Sequence, residues 1–215
     1  MPQLRSPRIW GTLSASGGSG ATTFALHLAQ VATGKGLRVL LVETDIRSPL
    51  REILGAVPPY WQEYRVDHVI PQEAMARECS AGFALLSRRS TESISEELFK
   101  HVIDSAHEYF DLILIDSPIS PIPMMNTLVV AENSLPALIG LHTLAPIYKP
   151  QIVIINKFSP RIKKRAALAG FITDAKIFTA PKNPELQLAI GFGITRKLSK
   201  DIERLCSAIL NEMLR

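Results

Sequence analysis

The sequence predicts an α/β protein of three layers, with a mostly parallel central sheet and helices on both faces. Three observations carry that expectation. Apolar runs of strand length alternate with stretches of helix length; the runs are nearly continuous, as suits strands buried on both faces; and they end on polar groups or on a glycine-rich turn. Strand-helix alternation of this kind calls for a parallel sheet with right-handed crossovers.

In order, the first strand is 8–13, where Ile9-Trp10-Gly11-Thr12-Leu13 precedes a glycine-rich turn. Helix 21–34 follows, with Thr23-Phe24-Ala25-Leu26-His27-Leu28-Ala29 supplying its apolar face. Strand 37–43 is the run Leu37-Arg38-Val39-Leu40-Leu41-Val42, ending in Glu43-Thr44-Asp45, two carboxylates at period two. Residues 46–71 read as irregular. The remaining expected elements are helix 72–78, strand 82–86, helix 94–108, strand 111–116 delivering Asp116, helix 122–131, strand 136–140, strand 151–156 delivering Asn156 and Lys157, helix 161–169, strand 175–178, helix 184–190 and helix 199–214. Between 141 and 150, Pro146 and Pro150 argue for an abbreviated crossover.

The turn Ser14–Thr23, SASGGSGATT, is the most informative stretch. Glycines Gly17, Gly18 and Gly20 at a strand-to-helix turn let the main chain approach an anion, and the backbone N–H groups with the helix N-terminus make a positive concavity. The phosphate-loop pattern G-x-x-x-x-G-K-[ST] is half met. Gly20 and Thr22 fit, while Ala15 stands at the first glycine and Ala21 at the lysine. The bland alternative is a glycine turn that packs a helix on a sheet. Because ligands of open parallel sheets bind outside the carboxyl ends of the strands, the polar groups at these ends, Glu43 with Asp45, Asp116, and Asn156 with Lys157, are expected to converge on this loop.

These segments, SGGSGATT, VETDIRSPL at 42–50, FDLILIDSPIS at 110–120, VIINKFSP at 153–160 and APKNPELQLAIGFG at 180–193, together resemble the deviant Walker-A ATPases of the ParA and MinD group. The resemblance covers nearly the whole chain and implies a Rossmann-like P-loop NTPase. Within the group, Ala21, the compact size and FALLSRRSTESISEELFKHVID are most similar to CpaE and TadZ, localisation ATPases of pilus and secretion systems. A run like VLLVETD also occurs in bacterial tyrosine autokinases, whose C-terminal tyrosine cluster is not matched by Tyr60, Tyr64, Tyr109 and Tyr148.

By resemblance, the amides of Gly17, Gly18, Ser19, Gly20, Ala21, Thr22 and Thr23 would cradle the phosphates of ATP. Thr22 would offer its hydroxyl to Mg2+, Asp45 would orient a water, and Asp116 would hold the metal's hydration shell, an oxygen-rich set that suits this hard cation. Asn156 and the segment after Pro181 would border the adenine. The family normally carries lysines at the positions of Ser16 and Ala21, and neither is present. Loss of such a cation costs about 10³ or more in phosphoryl-transfer rate by analogy with arginine fingers, so binding without efficient hydrolysis is expected. Arg47, after a strand end on the ligand side, is a candidate to replace the missing charge; Lys35, in the turn TGKG, is either another or a solvated turn residue.

A chain of 215 residues reads as one domain over 1–215, and no stretch of eighteen apolar residues is available to span a bilayer. The first residues carry no apolar signal-peptide core, which predicts a cytoplasmic protein, with peripheral contact at the inner membrane as a variant. Cys79 and Cys206 are too few for a disulfide framework, and the five scattered histidines suggest no metal cluster. The net charge of +4 and pI of 9.2, with Lys157, Arg161, Lys163, Lys164 and Arg165 close together, leave open DNA, an anionic membrane surface, a merely solvated helix face or, since the cluster begins beside Asn156, the nucleotide itself. Likewise Pro58–Tyr64 is either an aromatic docking surface or a loop folded back on the domain. The last helix, with Leu198, Ile202, Leu205, Cys206, Ile209, Leu210 and Met213 at helical period, packs on the sheet or seeks a membrane, as in MinD proteins.

The function expected is therefore that of a nucleotide-binding localisation or assembly factor for a pilus, secretion or polysaccharide-export machine, acting as a homodimer or heteromer with protein partners. Alternatives are a slow DNA-partitioning ATPase and a pseudo-ATPase scaffold that binds no nucleotide.

Overall fold

In the computed structural model, the described residues are 8–45, 49–54, 60–66, 77–79, 81–88, 93–159, 169–170, 172–183 and 199–215. Eight strands form one sheet: β1 (Arg8–Ser14), β2 (Val39–Glu43), β3 (Arg77–Glu78), β4 (Ala84–Leu86), β5 (Leu112–Asp116), β6 (Met125–Glu132), β7 (Ile152–Phe158) and β8 (Lys176–Pro181). Their spatial order is β3-β4-β2-β5-β1-β6-β7-β8. Every pairing is parallel except β3 with β4, so the sheet is mostly parallel as predicted.

Period-two alternation sorts the strand residues between two faces. Val39, Leu41, Leu112, Leu114, Leu128, Val130, Ile152 and Ile154 face the layer made by α1 (Ala21–Gly34) and α5 (Lys200–Met213). On the other face, Leu40, Val42, Ile113 and Ile115 pack with α3 (Glu96–Ala106) and Trp61. Further along that face, Val129, Ala131, Val153 and Ile155 pack with α4 (Leu135–Tyr148). The three predicted layers are therefore present. Helix α3 begins where Ser95 Oγ accepts the Leu98 N–H, with Glu96 and Glu97 in its first turn favouring the positive helix end.

Five expectations need correction. Residues 125–132 form a strand, where a helix over 122–131 was expected. Thr127, Val129 and Val130 are β-branched and the segment is buried on both faces, which favours extended chain. Residues 136–140, expected as a strand, open α4, since Ser134 Oγ caps Ala137 and Pro136 fits the first turn. The crossover over 141–150 is not abbreviated: α4 runs fourteen residues, with Pro146 tolerated in its last turn. Arg77–Glu78 pairs as an edge strand, where the end of helix 72–78 was expected. Within the expected irregular segment lie a short helix, α2 (Pro49–Leu54), and a single 3-10 turn, Trp61–Glu63. Most of helix 161–169 and all of 184–190 lie outside the described residues.

What replaces the expected helix after β5 is an eight-residue strap, 117–124, which carries the chain across β1 from one of its neighbours to the other. It fits because Gly11 has no side chain: a Cβ there would lie 2.9 Å from Pro118 Cγ and 3.0 Å from Met125 Sδ. Ser117 and Met124, at the strap's two ends, are left-handed, with φ of 59° and 65°. The aromatic segment folds back inward: Trp61 and Tyr64 are buried, and Trp61 stacks obliquely on Phe99. The apolar face of α5 is likewise covered by α1 and the sheet, which removes the membrane-seeking alternative for Ile202, Cys206, Ile209, Leu210 and Met213. Among the described residues, no helix is long and apolar enough to cross a membrane.

Candidate nucleotide site

The carboxyl ends of β1, β2, β5 and β7 bring the predicted site residues to one edge of the sheet. Glu43, Asp116 and Thr12 share one rung across β2, β5 and β1, and the glycine turn leaves β1 two residues later. Asp116 is fully buried, with Thr12 Oγ1 donating to its Oδ1 at 3.3 Å. Thr44 locks the adjoining turn: its N–H and hydroxyl both reach Asp116 O, at 3.2 and 3.0 Å, and the hydroxyl also reaches Ser117 O. Asp45, half-buried, follows at the end of β2.

The turn is wound by its own atoms. Ser19 N–H donates to Ser16 O at 3.2 Å and Ser19 Oγ to Ser14 Oγ at 2.9 Å, while Gly18 and Gly20 take φ of +73° and +100°. Asn156 Nδ2 donates to Ser19 O at 2.8 Å. The amides of Gly17, Gly18, Gly20, Ala21, Thr22 and Thr23 have no protein acceptor among the described residues. A Cβ on Gly17 or Gly18 would meet nothing within 4 Å, so the hollow is open on that side. No acidic side chain occupies the first turn of α1. Six outward amides, an open approach and a helix N-terminus free of carboxylates fit a phosphate chain. The carboxylate of Asp116, an oxygen donor of the kind Mg2+ takes, is buried at the end of β5, and Thr22 lies in the first turn of α1.

Gly20 cannot carry a side chain here, because a Cβ would sit 2.8 Å from Asn156 Nδ2. Gly20→Ala is expected to cost about 2 kcal/mol, from left-handed strain and the displaced amide bond, as read by urea unfolding.

Of the two candidate replacement cations, Lys35 is an exposed turn residue, as its alternative reading had it: it caps the far end of α1 and its Nζ reaches Asn211 Oδ1 at 3.2 Å. A fourteen-residue helix separates it from the loop by about 20 Å. Arg47 lies outside the described residues, as do Arg161, Lys163, Lys164 and Arg165. Pro181 ends β8, exposed, and the segment after Asn183 is again outside them. Asn156 is buried beneath the loop.

Three further residues stand at this edge: Glu43 and Lys157, which the strand ends were expected to deliver here, and Arg88, which the sequence did not single out. Arg88 is buried and its Nη1 donates to Thr44 O at 2.9 Å, fixing the chain just before Asp45. Lys157 places its Nζ 3.4 Å from Gly18 O. Glu43 caps α2, accepting from Leu50 N–H at 2.5 Å and Arg51 N–H at 3.3 Å. Burial pushes its carboxyl up to about 7, aided by the neighbouring charges of Asp116 and Asp45 and opposed by the two amides.

Comparison with known proteins agrees with this geometry. Residues 11–195 match the family model described as the CobQ/CobB/MinD/ParA nucleotide binding domain. A Rhizobium rhizogenes protein named as a candidate replication protein A is 26% identical over 52% of this chain, which spans only 34% of that protein. Among solved structures, a McdA variant from Cyanothece in complex with ATP superposes with TM-score 0.75 at 19% identity, covering 97% of each chain. MinD from Pyrococcus horikoshii with Mg-ADP superposes with TM-score 0.69 at 19% identity, covering 94% of this chain and 96% of that one. A ParA family ATPase from Chlorobium tepidum gives 0.71 at 17%, covering 98% and 100%. At these identities the structures attest the fold, and the family model covers most of the sequence. The chain belongs to the CobQ/CobB/MinD/ParA nucleotide-binding domain family.

Proposed function

We propose that this protein binds ATP with Mg2+ at the Ser14–Thr23 loop and works as a nucleotide-dependent positioning or assembly factor that hydrolyses ATP slowly or not at all. The observation that carries the reading is the row of six unengaged amides in a loop that has no charged side chain. Amides and a helix N-terminus hold phosphate in the ground state, while turnover demands a cation where charge spreads in the transition state. At the lysine position, Ala21 is instead buried among the apolar residues beneath α1.

Roles follow the resemblance: Thr22 and Asp116 toward Mg2+, Asp45 toward a water, and Asn156 and the chain after Pro181 toward the base. The likeness of FALLSRRSTESISEELFKHVID to CpaE and TadZ supports service to a cell-envelope machine, as a homodimer or with another subunit. The relatives named for replication and for the ParA family support a second reading, a slow partitioning ATPase that touches DNA.

Calorimetry with ATP and Mg2+ tests the site. Saturable binding is expected in the parent protein, without phosphate release, and about tenfold weaker or no Mg2+-dependent binding in Thr22→Ala and Asp116→Ala. Equal binding by all three proteins would remove the site. A salt-sensitive shift of DNA would move the reading to partitioning.

A further inference from the structure

Resting on the nucleotide-binding reading above, we propose that Lys157 is the cation of this phosphate loop, and that Glu132 is the counter-charge that parks it beside Gly18. Between Ser14 and Thr23 the loop has no charged residue. Lys157 reaches it from β7, with Nζ 3.4 Å from Gly18 O and 3.4 Å from Glu132 Oε1. Both distances are long for charge-assisted contacts and both side chains are about one-third exposed, so the ammonium is held loosely and stays wet.

The backbone makes an unusual detour to aim this side chain. The β7–β8 register shifts between Ile155 and Phe158, and Lys157 takes a left-handed φ of 53°. An L-residue with a long side chain rarely adopts that conformation, and here it is fixed by Asn156 Oδ1, which accepts the Lys157 N–H at 2.8 Å. Regular alternation would have placed residue 157 on the face of Val153 and Ile155, under α4. The same detour sets Asn156 Nδ2 on Ser19 O.

Two consecutive loop carbonyls, those of Gly18 and Ser19, are thus held toward β7. In a planar trans peptide the C=O and the following N–H point in opposite directions, so holding Ser19 O turns the Gly20 N–H toward the hollow. Lys157 adds a full positive charge on the carbonyl side of this row of dipoles, and Glu132 subtracts from it. Removing the two partners should therefore have effects of opposite sign on a polyphosphate, which a purely structural clamp would not produce.

The probe is sodium tripolyphosphate, titrated by calorimetry at low and at high salt, with adenosine as a separate titrant. Lys157→Met is expected to weaken tripolyphosphate binding about fivefold and flatten its salt dependence, Lys157→Arg to restore most of the affinity, and Glu132→Gln to tighten it about twofold. Adenosine binding is expected to stay unchanged throughout. Parent-like tripolyphosphate affinity in Lys157→Met, weakening in Glu132→Gln, or a loss confined to adenosine would each overturn the assignment. If the parent protein takes up neither tripolyphosphate nor ATP, the nucleotide-binding reading itself falls and this assignment with it.

Discussion

Replacing Gly140 by alanine is expected to lower the melting temperature by about 10 °C, where the same change in most helix interiors would raise it. Glycine in a helix ordinarily costs close to 1 kcal/mol relative to alanine, so the default effect of Gly→Ala is favourable. Here a Cβ on residue 140 would lie 1.8 Å from Ala15 O and 2.8 Å from Ala15 C. Both obstacles are main chain, and neither can rotate aside. Helix α4 must back away from the start of the glycine turn, opening the cluster of Val129, Ala131, Ala137, Leu138 and Leu141. Overpacking of this kind costs about 3 kcal/mol. Because Ala15 also donates its N–H to Val130 O at 2.9 Å, the displacement is expected to abolish ATP binding as well. Thr143→Ala, on the exposed side of the same helix, is the control and should change little. Differential scanning calorimetry of both variants decides the matter, and an unchanged or raised melting temperature in Gly140→Ala would show that the helix does not rest on the loop.

The second large effect depends on pH. Glu43 is fully buried and its carboxyl is raised from 4.5 to about 7, so the folded protein holds a proton there that the unfolded chain gives up. The resulting stability is complete below the unfolded value of 4.5 and is lost as pH rises through about 7. A shift of that size corresponds to about 3 kcal/mol. Glu43→Gln keeps an oxygen for the Leu50 N–H and removes the titration. Its stability relative to the parent should therefore improve between about pH 5 and pH 8, by about 3 kcal/mol across that range, in urea unfolding at several pH values. Parallel pH profiles for parent and variant would show that Glu43 is already charged in the fold.

The strands that build the site were legible because each is a two-sided apolar run ending in a polar group: Leu40–Val42 before Glu43, Ile113–Ile115 before Asp116, Ile152–Ile155 before Asn156. The order of β6 and α4 was not. Strict strand-helix alternation assigned a helix to 122–131, although the prolines at 118, 121 and 123 and the β-branched Thr127, Val129 and Val130 spoke for a strap and a strand. Residues 136–140 were read as strand, against the cap signal of Ser134 and Pro136. Lys35 stands away from the loop for a topological reason: the C-terminus of a crossover helix lies at the sheet edge opposite the loop. Lys157 was legible as a group that β7 delivers to the loop, but the way it turns there was not, since its direction depends on a register shift and a left-handed residue that period-two alternation cannot foretell. Glu43 was legible as a carboxylate at the end of β2, but not that its side chain is spent on capping α2.

The strap at 117–124 passes over β1 at Gly11, between the parts of that strand that pack with α3 and with α4, and Met124 is 70% and Ile119 37% exposed on it. A connector lengthened at the exposed Ile119 or Met124 would project away from β1 and leave the rungs of β5, β1 and β6 in register, so an added element could be grafted there without disturbing Asp116 or the loop.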